Sequence, residues 1–184
     1  TVEKGKPSAW PWGKDGFVAM SQLKADGMYA NICVAEGVAN GITSRNGNRF
    51  PQGPWCEPIL SDLRVAESRR ADPHVYNGEL VVFKYGKPLP RQVGNGILNS
   101  LLNEGEWKGE GSMVVRFLAW DSLPLSEYKA GVRYKAPYKD RLDALRDAVC
   151  HARYVSVIES KVVTTYEEAL EDFMARLAAG EEGT

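Results

Sequence analysis

The stretch Val75–Phe83, which reads Val-Tyr-Asn-Gly-Glu-Leu-Val-Val-Phe, decides the fold class. Its β-branched and aromatic residues predict a buried strand. Two further runs of this kind, Met113–Trp120 and Tyr154–Val163, follow along the chain. Predicted strands outnumber predicted helices and do not alternate strictly with them. We therefore expect an α+β protein with mainly antiparallel β-sheets flanked by helices.

Turn signals predict how the other strands connect. Phe17–Lys24 and Tyr29–Ala35 are suited to strands, and Asp26-Gly27 between them predicts a hairpin with Lys24 at its mouth. Local composition predicts three more non-helical segments, which are a strand at Gly41–Ser44, a loop at Lys84–Pro90 and a turn at Asp121–Pro124.

Four segments have helical signals. They are Pro58–Glu67, the region of Ile97–Leu102 ending near Gly105, Tyr138–Ala148, and the segment that follows Thr165. The last is the best signalled, because Thr165 and Glu168 have capping-box spacing and Gly180 is a stop signal.

Length and composition limit the class of protein. With 184 residues, we interpret residues 1–184 as a single domain. No apolar run approaches the roughly 20 residues of a membrane helix, and no secretory signal opens the chain. We expect a soluble, cytoplasmic monomer without a membrane partner. The three separated cysteines are expected to be core thiols, and two histidines exclude a multi-histidine metal site.

Charge is uneven along the chain, although the net value is only −1. Acidic residues dominate between Glu159 and Glu182, and a basic stretch precedes them. That stretch is either a solvated face or a phosphate-contacting surface, and its members are Lys129, Arg133, Lys135, Lys139 and Arg141.

Common phosphate-binding loops are missing from the sequence, which leaves Lys24-Ala-Asp-Gly27 as the candidate for phosphate chemistry. A lysine is a nucleophile only when its amine is neutral. Asp26 alone would favour the charged amine, whereas a magnesium ion bound at Asp26 would favour the neutral form and offset phosphate charge. The alternative for so short a pattern is an exposed hairpin lysine.

Other segments, in order, strengthen this pattern. They are Ser44-Arg-Asn-Gly47, Tyr76-Asn-Gly-Glu-Leu80, Phe117-Leu-Ala-Trp-Asp121 and Glu181-Glu-Gly183. Together with Gln22–Gly27 they resemble the successive motifs of covalent nucleotidyltransferases, which comprise DNA ligases, RNA ligases and capping enzymes. The residues within these motifs are most similar to those of phage ATP-dependent DNA ligases. The resemblance implies the ATP-grasp-like fold of a DNA ligase adenylation domain.

The resemblance also implies an activity and its participants. ATP would charge Lys24 with AMP, and the AMP would pass to the 5′-phosphate of a nick in double-stranded DNA before the strand is sealed. Roles carried over by the motifs are nucleotide binding by Gln22, Leu23, Lys24, Arg45, Glu79 and Trp120, and Mg²⁺ binding by Asp26 and Glu182. Arg91, Asn95 and Asn99 are expected to contact nucleic acid.

Each role has a structural alternative. For Trp120, which lies in an apolar strand, the alternative is a core residue, and for the polar residues near Arg91 it is the solvated face of an amphipathic helix. Tyr29 also stands where these ligases commonly have arginine, and Asn77 where they have aspartate. We expect the chain to be incomplete at its C-terminal end, without the small β-barrel (OB-fold) domain of ligases. An RNA ligase or capping-type transferase, and a non-catalytic module that binds nicked duplex, remain alternatives.

Overall fold

The computed structural model describes residues 9–14, 16–34, 41–131 and 133–181. The strands are β1 (Ala19–Gln22), β2 (Met28–Cys33), β3 (Gly41–Ser44), β4 (His74–Lys84), β5 (Lys87–Pro88), β6 (Met113–Pro124), β7 (Val155–Val157) and β8 (Ser160–Val163). The helices are α1 (Glu57–Glu67), α2 (Arg91–Glu104), α3 (Leu125–Ala130), α4 (Tyr138–Ala148) and α5 (Tyr166–Ala178). The α+β prediction is confirmed.

The chain divides into two compact units, a smaller one formed by residues 1–25 and 158–184 and a larger one formed by residues 26–157. In the smaller unit β1 pairs antiparallel with β8, and α5 packs against both strands. The larger unit contains a sheet in the order β3-β2-β4-β6-β7, with β5 paired to β4. Only the β6–β7 pairing in this sheet is parallel.

One face of the larger sheet forms the core. Its fully buried residues include Ala30 and Ile32 on β2, Leu80 on β4, and Phe117 and Ala119 on β6. Helices α1, α2 and α4 pack against the sheet.

The edge strand β7 is tied to α1 by one carboxylate. Asp62 accepts hydrogen bonds from the backbone N–H groups of Arg153, Tyr154 and Val155 at 2.8, 2.6 and 3.2 Å. The parallel strand is therefore held at its start by a side chain as well as by its ladder.

The four predicted helices are confirmed, whereas the predicted hairpin between Phe17–Lys24 and Tyr29–Ala35 is wrong. Strand β1 pairs with β8, and β2 pairs with β3 and β4. Gly27 therefore does not lie in a hairpin turn between these strands. A Cβ on Gly27 would lie 2.5 Å from the Leu80 carbonyl oxygen. It is glycine because the chain passes so close to β4.

Three other segments differ from expectation. Asp121–Pro124 is not a turn, because β6 continues through it and pairs with His74–Asn77. The Tyr154–Val163 run is divided between β7 and β8, which belong to different sheets. Lys84–Pro90 contains a tight turn at Tyr85 and Gly86, both with positive φ, that closes the β4–β5 hairpin.

The prediction that the cysteines are core thiols holds for one of the three. All three cysteines are free, but only Cys56 is buried, while Cys33 is half-buried and Cys150 is exposed just after α4.

Within the part of the chain that the structure describes, no helix is both long and apolar enough to cross a bilayer.

A buried arginine holds the smaller unit together. The Arg176 side chain on α5 is 6% exposed and contacts carboxylates of Asp172, Glu181 and Glu159 at 3.1, 3.2 and 3.5 Å. Asp172 also accepts a hydrogen bond from the Ser21 hydroxyl on β1 at 2.6 Å. The hydroxyl and Arg176 lower the pKa of the Asp172 carboxyl. The stabilisation of the folded state by these two contacts is present at neutral pH, and it is lost as the pH falls through the lowered pKa of Asp172.

Replacing Arg176 with alanine is predicted to lower the free energy of unfolding by about 3–5 kcal/mol, because it leaves the largely buried Asp172 without its cation. Urea denaturation at neutral pH measures this loss. The matched control is Arg64→Ala, since Arg64 forms an exposed pair with Glu57 and should contribute much less. Equal losses in the two variants would contradict the role of burial.

Candidate nucleotide-binding site

The face of the larger sheet opposite the apolar core carries polar and aromatic residues. Register places Tyr29 opposite Glu79 and Asn31 opposite Asn77, so these four side chains project from the same face. On β6, Leu118 pairs with Glu79, and Trp120 lies two residues further along. We call this surface, with Arg45 just after β3, the polar face.

Tyr29 links the members of the polar face. Its ring centroid lies 5.7 Å from that of Trp120, and the Arg45 guanidinium lies 5.2 Å from the Tyr29 centroid. The Tyr29 hydroxyl donates to the side-chain oxygen of Asn31 at 2.8 Å, and the Asn77 amide donates to the same oxygen. Burial raises the pKa of the Tyr29 hydroxyl above its ordinary value.

This arrangement brings together three of the predicted nucleotide-binding residues, Arg45, Glu79 and Trp120. Sequence reasoning missed Asn31 and treated Tyr29 and Asn77 only as departures from a pattern. The alternation within β2 was the available signal, because residues two apart in a strand share a face.

The segment Asp26-Gly27 is held from two sides. The Glu79 carboxylate accepts a hydrogen bond from the Gly27 N–H at 2.7 Å. From α2, Asn95 donates its amide to the Gly27 carbonyl oxygen at 3.3 Å, and Arg91 lies 3.7 Å from the Asp26 carboxylate. Two residues predicted to contact nucleic acid therefore contact this segment, while Asn99 is exposed further along α2.

A second glycine of the motifs, Gly78, is required by packing. A Cβ at Gly78 would collide with the Leu118 carbonyl oxygen and the Phe117 ring. Together with Gly27, it allows the backbones around Glu79 to approach closely. The two glycines therefore let β4 lie close to the neighbouring chain segments on either side of Glu79.

Lys24 and its predecessors belong to the smaller unit. Gln22 donates its side-chain amide to the Ser160 hydroxyl at 3.0 Å, and the Leu23 N–H donates to the Glu159 carbonyl oxygen at 3.0 Å. These bonds continue the pairing of β1 with β8 to its end. The exposed Lys24 follows directly and precedes Asp26 by two residues in the chain.

The described carboxylates do not form a ready-made metal cluster. Across residues 9–14, 16–34, 41–131 and 133–181, no group of three or more histidine, cysteine, aspartate or glutamate side chains has metal-binding geometry. Magnesium commonly needs only one or two carboxylates, with phosphates and water completing its shell. The Asp26 side chain, 44% exposed, fits one such position. Glu182, the other predicted ligand, lies outside the described residues.

The basic stretch is not a uniform phosphate-binding surface. Arg141 forms a two-pronged ion pair with Asp121, and Lys139 pairs with Asp143 at 2.6 Å. Lys129, Arg133 and Lys135 are exposed.

Comparisons with known proteins identify relatives of this chain. Residues 14–184 match the family described as "ATP dependent DNA ligase domain". The chain is 26% identical over 196 aligned residues to the DNA ligase of Enterobacteria phage T4, covering 91% of this chain and 40% of the ligase. The phage T6 DNA ligase gives the same identity and coverage.

Solved structures show the same fold. A structure named "Pmar-Lig_PreS3" aligns with a TM-score of 0.68 and 18% identity over 90% of this chain and 37% of that one. The bacteriophage T7 ATP-dependent DNA ligase, solved in complex with ATP, aligns with a TM-score of 0.62 and 18% identity over 90% of this chain and 55% of that one. The chain thus spans about 40% of the length of the phage T4 and T6 relatives. On the match across residues 14–184, the chain belongs to the ATP-dependent DNA ligase domain family.

Proposed function

We propose that this chain is the adenylating part of an ATP-dependent DNA ligase and that Lys24 receives the AMP. The observation that carries the proposal is the convergence of Arg45, Tyr29, Glu79 and Trp120 on the polar face. This face combines aromatic surface, a cation and an acceptor, which match the base, phosphates and ribose of a nucleotide. Family membership supports ATP as the nucleotide.

The proposed chemistry begins with Lys24. Its neutral Nζ attacks the α-phosphorus of ATP, the bond to the bridging oxygen of pyrophosphate breaks, and the amine loses a proton. AMP is then held as a phosphoramidate. In the next step an oxygen of the nick's 5′-phosphate attacks the phosphorus of AMP, the P–N bond breaks, and the departing Lys24 amine regains a proton. The adjacent 3′-hydroxyl attacks the activated phosphate, forms the phosphodiester and expels AMP.

The residues of the polar face have complementary tasks in this proposal. Trp120 stacks on adenine, and Glu79 accepts hydrogen bonds from the ribose hydroxyls with lone pairs beyond the one used by Gly27. Arg45 presents a planar fork of donors to phosphate oxygens while its guanidinium lies over Tyr29. Gln22 and Leu23, next to Lys24, complete the proposed nucleotide contacts.

Magnesium, which the family implies, would be held by Asp26 and, beyond the described residues, by Glu182. The ion would offset the negative charge of the phosphates and favour the neutral form of a nearby amine. The protein itself positions Asp26. Arg91 contacts the Asp26 carboxylate, and Glu79 and Asn95 hydrogen-bond to the next residue, Gly27.

Nicked double-stranded DNA is the proposed partner, bound by a monomer in the cytoplasm of a bacterial or phage-infected cell. Arg91, Asn95 and Asn99 lie along α2 and are proposed to contact it. For Arg91 and Asn95 this role would be additional to their contacts with Asp26 and Gly27. Asn99 is exposed and takes no part in the contacts with Asp26 and Gly27, so it gives the clearest test.

Incubation with labelled ATP and magnesium is predicted to give a covalent adduct that is absent from Lys24→Ala and retained in Lys14→Ala. Lys14 is an exposed lysine of the same unit and controls for loss of a positive charge. Denaturing gel electrophoresis followed by peptide mapping measures the adduct. An adduct from GTP and not ATP would indicate a capping-type transferase. Retention of nicked DNA without any adduct would indicate a non-catalytic binding module.

Replacing Trp120 with leucine is predicted to weaken ATP binding about fivefold, which is about 1 kcal/mol and the scale of one aromatic contact. Melting temperature and nucleotide titration are measured together. Trp107→Leu is the control for loss of a tryptophan, since Trp107 stacks on Trp55 and not on Tyr29. A lower melting temperature with unchanged ATP affinity would mean that Trp120 serves the core alone.

Asn99→Asp is predicted to weaken binding of nicked duplex about three- to tenfold, because it replaces an exposed amide with a charge that repels phosphate. Adduct formation from ATP in the absence of DNA should stay unchanged. Ser61→Asp, at an exposed position on α1, adds the same charge and is the matched control. Equal binding by both variants would reject α2 as the DNA contact.

A further inference from the structure

Trp120 occupies a bulge in β6. Its neighbours Ala119 and Asp121 pair with Gly78 and Asn77, which are consecutive on β4, so Trp120 has no pairing partner on that strand. An extra residue in one strand bends it locally and redirects a side chain. At this bulge the Trp120 ring lies 5.7 Å from the Tyr29 ring on the polar face.

Two residues of the first turn of α4 hold this bulge. The Tyr138 hydroxyl donates to the Trp120 carbonyl oxygen at 2.8 Å. Arg141 donates through Nε and Nη2 to the two carboxylate oxygens of Asp121, at 2.9 Å each. The bulged residue and its successor are therefore both fixed by the same helix.

Arg141 is itself held in place. Its Nη1 donates to the Ala136 carbonyl oxygen at 2.6 Å, and its guanidinium lies 5.3 Å from the centroid of the Tyr138 ring. The Arg141 and Asp121 side chains are only 17% and 15% exposed. A two-pronged, largely buried ion pair with an additional hydrogen bond specifies orientation far better than an exposed pair does.

We propose that Arg141, assisted by Tyr138, is a positioning residue that holds Trp120 in the orientation in which it receives the purine of the nucleotide. The proposal rests on the proposed function, because it takes Trp120 as the base-stacking residue. In this role neither Arg141 nor Tyr138 needs to contact the nucleotide. They fix the bulge when the protein folds, so that Trp120 is already ordered and loses little conformational entropy when ATP binds.

A double-mutant cycle tests this. Arg141→Lys keeps the charge but loses the planar fork, and it is expected to weaken ATP binding about three- to tenfold while the protein stays folded. In a Trp120→Leu background the same change should have no further effect, because its target is gone. Arg146→Lys is the matched control, since Arg146 lies on the same helix in an exposed pair with Asp143.

Two results would overturn the proposal. One is an equal loss from Arg141→Lys with and without Trp120, and another is no loss in the presence of Trp120. If Arg141→Lys does not fold, Tyr138→Phe removes a single hydroxyl and is judged by the same cycle. A parent chain that binds no ATP contradicts the proposed function as well, whereas normal ATP binding with a failed cycle contradicts the positioning role alone.

Discussion

The close approach of the backbone around Glu79 is the constraint on which the polar face depends. Gly27 lies against the Leu80 carbonyl oxygen and Gly78 against that of Leu118, so neither position accepts a side chain. This proximity lets the Glu79 carboxylate accept the Gly27 N–H at 2.7 Å. Asp26 is thereby attached to β4, and the register that follows places Tyr29 beside Glu79.

Each of the two compact units carries residues with a role in the proposed reaction. The larger unit supplies the polar face and Asp26, and the smaller unit carries Lys24 directly after the last bonds of β1 with β8. Each unit has a polar network that fixes its own part. In the smaller unit Arg176 on α5 contacts Glu159, and Asp172 on the same helix accepts from Ser21 of β1. In the larger unit Arg141 ties α4 to Asp121.

Features with local causes were predictable from the sequence. The Thr165 side chain accepts the Glu168 N–H, as the capping signal predicted. Helix α2 ends at Glu104, next to Gly105, as expected. The strand partner of β1 was not predictable, because β8 lies far along the chain and the Asp26-Gly27 turn signal favoured a local hairpin. Tyr29 joins the site through cross-strand register, which no short motif contains. The motif residues Arg45, Glu79 and Trp120 could be named, but their common face required the structure.

The most direct test is a crystal structure of the chain after incubation with ATP and magnesium. The account predicts AMP joined covalently to Lys24 Nζ, with its purine against Trp120 and its ribose hydroxyls at Glu79. It also predicts that Arg141 retains its two-pronged contact with Asp121. AMP bound on another surface, or joined to a different lysine, would contradict the assignment of the polar face as the nucleotide site.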